Sequence, residues 1–402
     1  MLKRLIRSTV DPHFRDAIWA YRTRRDISVL DGVMRGKFQI LHKPATNREH
    51  IQATMDWLCA AQDADQPGGV SAFYDVREGM WGPLYPETTG YIIPTFYDAA
   101  SYLNEDMYRQ RALRMANWLL TLQLDSGAFP IGPLWPDWER QPIVFDTGQI
   151  LFGLVRAYQE TGEEKFLAAA RQAADWLVAI QDSDGAWRKH TSLGFVHTYN
   201  VRSALGVLLL AKASNQDVYQ AAAVRNLRWA ITQQEPDGWY QNAGFTPQED
   251  PLTHTIAYTI EGLLESGILL ADEAMIASAT LAANALRARQ AEDGFLRARY
   301  GSGWKSTLDW SCLTGTAQMG MIWSRLYLLT GREDDRQAAS EANLYLKRRQ
   351  SRQVQHQPGM RGGIAGSYPL FGDYEPFRNL NWAAKFFTDS LLLEEKYASA
   401  GN

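Results

Sequence analysis

One spacing recurs along the chain and limits what it can fold into. Trp57, Trp118, Trp176 and Trp229 each stand five residues before a glutamine: Gln62, Gln123, Gln181 and Gln234. In three of these units a glycine follows nine residues after the Trp (Gly127, Gly185, Gly238) and an aromatic after eleven (Phe129, Trp187, Tyr240). A fifth copy has Ala285, Gln290, Gly294 and Leu296, and a degenerate sixth has Tyr345 and Gln350. Successive units are 61, 58, 53, 56 and 60 residues apart. Such a period marks a supersecondary unit that buries its apolar face only when copies stack.

Each unit reads the same way. An Ala-rich helix such as Lys165–Trp176 carries apolar residues at helical spacing and keeps one polar face, so it belongs on the outside. An Asp/Ser/Gly turn stops it. After a long loop comes a second helix that is apolar on nearly every side, such as Thr147–Tyr158, and often ends in Thr-Gly (161–162, 330–331). Six outer–inner pairs with almost no strand pattern predict an all-α fold, an (α/α)6 toroid or six-hairpin barrel. Twelve helices of about 15 residues use only about 180 residues, leaving ample chain for long loops. The predicted division is an N-terminal extension over 1–45 and one toroid over 46–396.

Composition narrows the class. The 402 residues are 46% hydrophobic and 21% charged, which excludes a disordered chain. No apolar run is long enough to span a membrane, and the basic start lacks the apolar stretch of a cleaved signal peptide. A cytoplasmic location is the expectation. Two cysteines, Cys59 and Cys312, make no disulfide framework. Seven scattered histidines without CxxC or HExxH give no metal set, and no cofactor is expected. The net charge is −4, and with no basic groove nucleic acid is not an expected partner. Residues 1–25 nevertheless hold seven Lys/Arg against Asp11 and Asp16. Such a segment is a solvated surface helix or rests peripherally on anionic headgroups.

The functional signal lies where the inner helices begin, because a toroid gathers those six junctions around one funnel. They are polar and unlike one another: Glu87 and Tyr91; Asp146 and Gln149; His197, Tyr199, Asn200 and Arg202; His254 and Tyr258; Lys305, Asp309, Trp310 and Gln318; Tyr368 and Trp382. One asymmetric substrate needs such divergence. The bland alternative is that Asp, Thr and His there only cap helices and that the aromatics are core.

A funnel lined this way suits an oligosaccharide or polysaccharide, acidic ones included, since aromatics stack on sugar rings and polar groups take hydroxyls. Glu87 and Asp146, with Asp309 in reserve, are a carboxylate pair for hydrolysis, one an acid with a raised pKa and the other a base or nucleophile. Alternatively Tyr199 or His197 takes a C5 proton from a uronate while a cation neutralises its carboxylate. The catalytic candidates are therefore Asp146, Glu87, His197 and Tyr199. Arg202, His254 and Lys305 would bind acidic or hydroxyl groups, with Tyr91 and Trp310 as stacking platforms. Gln149, Asn200, Tyr258, Asp309, Gln318, Tyr368 and Trp382 complete the expected binding set.

These residues resemble known families. The Gln-x-x-x-Gly-x-Trp units resemble the repeats of triterpene cyclases, but the Asp-x-Asp-Asp acid motif is missing. No zinc set of the toroid prenyltransferases can be assembled, and two unrelated cysteines do not fit the LanC-type cyclases. From about 50 to 394 the chain resembles six-hairpin carbohydrate enzymes: unsaturated glucuronyl hydrolases, toroidal polysaccharide lyases and glucuronyl C5-epimerase-like proteins. Pro86–Pro94, Phe145–Gln149 and His197–Asn200 are similar to a branch found with surface-polysaccharide genes. The resemblance implies a glycan substrate and an enzyme that cleaves a bacterial surface polysaccharide or its oligosaccharides, as glycoside hydrolase or uronate lyase. The alternatives are a C5-epimerase-like enzyme, an isoprenoid cyclase or transferase, and a non-catalytic glycan-binding component of a polysaccharide assembly complex.

Overall fold

The computed structural model describes residues 43–352 and 359–398. The basic segment 1–25 and all but the end of the extension expected over 1–45 lie outside the described residues. Among the described residues run twelve α-helices, alternately outer and inner. The outer helices are α1 (Asn47–Asp63), α3 (Met107–Leu120), α5 (Glu164–Ala179), α7 (Asp217–Ile231), α9 (Glu273–Arg287) and α11 (Glu333–Lys347). The inner ones are α2 (Pro86–Leu103), α4 (Val144–Thr161), α6 (Val201–Ser214), α8 (Thr253–Leu270), α10 (Leu313–Thr330) and α12 (Asn381–Ala398).

Burial follows the sequence pattern. In α5 the buried residues are Phe166, Leu167, Ala169, Ala170, Ala173, Ala174 and Leu177, a single stripe at helical spacing. In α8 every residue from Thr253 to Leu264 is buried. Each inner helix packs against the inner helices on either side of it, and α12 packs back on α2, so the six close a ring. The fold is the (α/α)6 toroid.

The hairpins pair differently from the sequence units. Each of the first five inner helices turns at once into the outer helix that follows it, through one left-handed residue: Asn104 (φ 61°), Gly162 (70°), Asn215 (53°), Ala271 (52°) and Gly331 (71°). That backbone satisfies the last inner-helix carbonyls, which is why Thr-Gly recurs there. The sixth inner helix, α12, pairs with α1, so the two ends of the described chain close the toroid. The long loops, which carry the repeat glycines, run from outer helix to next inner helix.

The repeat glutamines hold outer helices together. Gln123 Nε2 donates to Gly127 O and to Ala169 O of the next outer helix, each at 2.8 Å. Gln181 does the same with Gly185 O and Ala222 O, each at 3.0 Å, and Gln234 with Gly238 O (3.2 Å) and Ser278 O (2.9 Å). Gln62 reaches Arg111 O (3.1 Å) and Gln290 reaches Ala338 O (3.0 Å). Gln350 completes the circle, donating to Thr54 Oγ1 on α1 and to Gly362 O, each at 2.8 Å. The paired glycine is needed for two reasons. Gly185 has φ 93°, and a Cβ there would lie 2.4 Å from the Arg225 carbonyl oxygen of the next outer helix.

Short strands tie the loops on one face. β1 (Phe73–Asp75) pairs antiparallel with β2 (Met80–Trp81) and with β5 (Arg378–Leu380), setting Asp75 opposite Arg378. β3 (Ser311–Cys312) pairs with β4 (Ser367–Tyr368). No helix among the described residues is long and apolar enough to cross a membrane.

Candidate active site

A cavity of about 420 Å³ opens among these loops and ends on the inner ring. That volume lies in the range of small-ligand sites. Its walls are strongly aromatic: Tyr85, Tyr91, Tyr199, Tyr258, Tyr374, Phe73, Phe145, Phe245, Trp135, Trp138 and Trp382. Two carboxyl groups, Glu87 and Asp146, stand among them, with Glu375 and Arg378. Five tyrosine hydroxyls and these charged groups set polar atoms into an otherwise aromatic, largely apolar chamber.

The two central carboxyl groups come from adjacent inner helices. Glu87 is the second residue of α2 and Asp146 the third of α4, both in the first turn. Neither caps its helix: the residues before these helices, Tyr85 and Ile143, make no side-chain cap bond. The Tyr85 hydroxyl donates to Glu87 Oε2, and the backbone N–H of Gly132 donates to Asp146 Oδ2 at 2.6 Å. A helix N-terminus and such donors favour the charged carboxylate. Burial opposes them and prevails. It pushes Asp146 up to about 7. It also lifts Glu87 well above the usual carboxylate range, helped by the charge of Asp146.

The floor is a plug across the ring. Tyr258 on α8 and Tyr91 on α2, opposite helices, bring their hydroxyls to 3.5 Å. Behind them Arg202 is sealed from solvent, 1% exposed, paired with Glu261 and bonded to Gln149 Oε1 at 2.7 Å. Its guanidinium lies over the rings of Tyr91 (5.4 Å), Phe152 (4.9 Å), Tyr258 (5.1 Å) and Phe386 (5.1 Å). The cavity is thus closed at its base.

His254 lines the wall, and Gln318 Oε1 faces its Nδ1 at 2.6 Å, which puts the ring proton on Nδ1 and a lone pair on Nε2. Burial holds this imidazole down at about 3, so it is neutral. Burial pushes the Tyr199 phenol up, and its ring stacks on His197 with centroids 4.4 Å apart.

Of the expected site residues, the structure gathers Glu87, Asp146, Tyr91, Tyr199, His254, Tyr258 and Trp382 on one cavity. The others stand elsewhere. His197 is not placed to act on a substrate here: its Nδ1 meets Gly244 O (3.0 Å) and its Nε2 meets Ser192 O (2.9 Å), so the ring ties two loops. Arg202 and Gln149 lie behind the floor, and Gln318 behind His254. Asn200 is buried in the short turn before α6 and is not on the cavity wall. Lys305 and Asp309 are exposed on a loop away from the cavity, which removes Asp309 as reserve carboxylate. Trp310 packs over Gly372, and Tyr368 is covered by the Arg349 guanidinium, 4.4 Å from its ring centroid.

Sequence reasoning missed Tyr85, Gly132, Phe145, Ser192, Phe245, Tyr374, Glu375 and Arg378. Tyr85, Phe145 and Tyr374 were within reach, being beside or between quoted junction residues. Trp135 and Trp138, 40% and 57% exposed at the mouth, carry the signal of large aromatics left in solvent beside a cavity.

Comparison with known proteins follows the fold. A sequence profile for the pectic acid lyase family matches residues 146–211, which span α4 to α6. No curated protein matches the chain by sequence. An unsaturated glucuronyl hydrolase specific for heparin superposes with a TM-score of 0.67 at 16% identity, covering 88% of this chain and 98% of that one. The unsaturated glucuronyl hydrolase responsible for glycosaminoglycan degradation in Bacillus sp. GL1 gives 0.67 at 15% identity, over 86% and 96%. The cellobiose 2-epimerase of Bacillus thermoamylovorans gives 0.65 at 14%, over 86% and 98%. The likeness is one of fold.

Proposed function

We propose that this protein is a carbohydrate-active enzyme, a glycoside hydrolase that removes sugar from the end of a glycan. The observation that carries this reading is the pair Glu87 and Asp146, both lining the cavity and buried at the starts of neighbouring helices, where burial raises both pKa values. The charge of Asp146 raises Glu87 further, so Glu87 takes the role of the proton-holding acid toward the leaving oxygen. Asp146 loses its proton near pH 7 and is the base or nucleophile. The plugged floor supports a pocket for a chain end rather than a groove for its middle. Tyr91, Tyr199, Tyr258 and Trp382 offer ring faces and hydroxyls to the bound sugar, and Trp135 and Trp138 would stack the sugars beyond the mouth.

The similar solved structures act, by their own descriptions, on unsaturated glucuronyl groups, heparin, glycosaminoglycan or cellobiose. That range supports an oligosaccharide substrate. Motif resemblance to proteins found with surface-polysaccharide genes points to oligosaccharides of that origin. Incubation with a glycan panel, followed by release of reducing ends, tests the reading. Ends released by the wild type and lost in both Glu87→Gln and Asp146→Asn are expected. Full activity in both variants would refute it, and ultraviolet absorbance of an unsaturated uronate among the products would assign elimination instead.

A second reading rests on His254. A neutral imidazole with a lone pair on Nε2 is a base that can move a proton without breaking a glycosidic bond. Solvent deuterium entering an otherwise uncleaved sugar, lost in His254→Ala, would favour epimerisation.

A further inference from the structure

A site for an acidic sugar needs an available cation, and the three expected cations do not supply one. Arg202 is sealed behind the floor and paired with Glu261. His254 is neutral. Lys305 is exposed and away from the cavity. Among the described residues that line the cavity, Arg378 is the one guanidinium, and no lysine joins it.

Arg378 is already engaged. Its Nη1 bonds Glu375 Oε2 at 2.6 Å, its Nε lies 3.8 Å from Asp75 Oδ2, and its guanidinium lies 3.9 Å from the centroid of the Phe73 ring. Asp75 is shared with Arg77, 3.9 Å away and outside the cavity lining. Among the lining groups Glu375 balances Arg378, and Asp146 adds negative charge once ionised. An incoming carboxylate would give up water and face Glu375 and ionised Asp146, with the one lining guanidinium already shared with Glu375.

We propose that the cavity selects an uncharged terminal sugar and rejects a uronate, with Glu375, by holding Arg378, as the specificity-determining residue. The inference rests on the reading of this cavity as a glycan site. It also bears on the chemistry. Elimination beside a uronate needs the sugar carboxylate neutralised as the adjacent carbon loses its proton. With Arg378 held by Glu375, no lining side chain is free to do this, which disfavours elimination.

The test uses the full chain and matched substrate pairs that differ only at C6. These are 4-nitrophenyl glucoside and glucuronide, and 4-nitrophenyl galactoside and galacturonide, each as both anomers. Calorimetric binding of cellobiose and cellobiouronic acid accompanies the rates. A kcat/KM preference of about 100-fold for the neutral member, or a tenfold tighter Kd, is expected. Equal or better use of the uronate overturns the proposal. Glu375→Gln should narrow the ratio about tenfold by loosening Arg378, and an unchanged ratio overturns the role given to Glu375. Neutral sugars that bind without release of new ends leave selection standing and refute the hydrolase. New ends from uronates alone do the reverse. If sugars of neither kind bind, both fall.

Discussion

The outer ring and the inner-helix starts are both built from buried or half-buried polar side chains, and they differ in repetition. Around the outside, one residue type does one job six times: Gln62, Gln123, Gln181, Gln234, Gln290 and Gln350 each donate to a main-chain carbonyl across a helix gap, Gln350 to His50 O on α1. At the inner starts no two junctions match. Two of them hold carboxyl groups that burial keeps far from their ordinary pKa values. A polar group that meets its partners lowers free energy, and repetition then marks structure. A polar group kept at a desolvation penalty marks chemistry.

The largest effect should come from breaking the inner side of that contrast. Glu87→Gln and Asp146→Asn should each lower kcat roughly 10³–10⁴-fold on a cleaved glycan, with the melting temperature held or raised. The wild-type rate should rise as pH passes about 7 and Asp146 ionises, then fall as Glu87 loses its proton. Stability should move the other way. Asp146 titrates near 3.8 when unfolded and near 7 when folded. The native state therefore binds that proton more tightly and loses stability as pH rises from about 4 to 7. Asp146→Asn should flatten that slope in thermal melts.

Next in size is the buried pair beneath the floor. Arg202→Met leaves Glu261 buried without its cation and should cost roughly 3–5 kcal/mol by urea unfolding. Adding Glu261→Leu should restore most of it. No recovery would mean that the guanidinium supports Tyr91 and Tyr258 chiefly through their rings.

Smaller effects test the outer ring. Gln350→Ala, at the fully buried closure onto α1, should cost about 2–3 kcal/mol. Gln123→Ala, at a half-buried copy, should cost about 1 kcal/mol. Neither should change kcat. Equal losses at the two positions would mean that closing the circle adds nothing beyond one ordinary copy. The smallest effect, about 1 kcal/mol, belongs to Trp138→Ala at the mouth. It should raise KM for oligosaccharides several-fold and leave monosaccharide glycosides unchanged.

Much of the fold was legible because its signals are local. Helical periodicity, the Trp-Gln spacing and Thr-Gly stops lie within a few turns of chain. The hairpin pairing was not legible, since short and long connections both fit the repeat and packing chooses between them. In the site, Glu87 and Asp146 stood out as carboxyl groups beside inner helices. His197 stood out equally, and only the carbonyls of Gly244 and Ser192, on two different loops, show that its ring is occupied. Arg378 gave no signal, because β5 reaches the cavity only by pairing with β1, far away in sequence.

The sequence by itself determined the toroid, the ring of glutamines and the choice of inner-helix starts as the place of divergence. These follow from a period and from spacings that local backbone geometry enforces. Tertiary structure alone decided which polar residues face the cavity, which face each other, and which charges are already spent. Neighbours on a closed ring come from segments tens to hundreds of residues apart, and burial, which sets pKa and availability, depends on those neighbours.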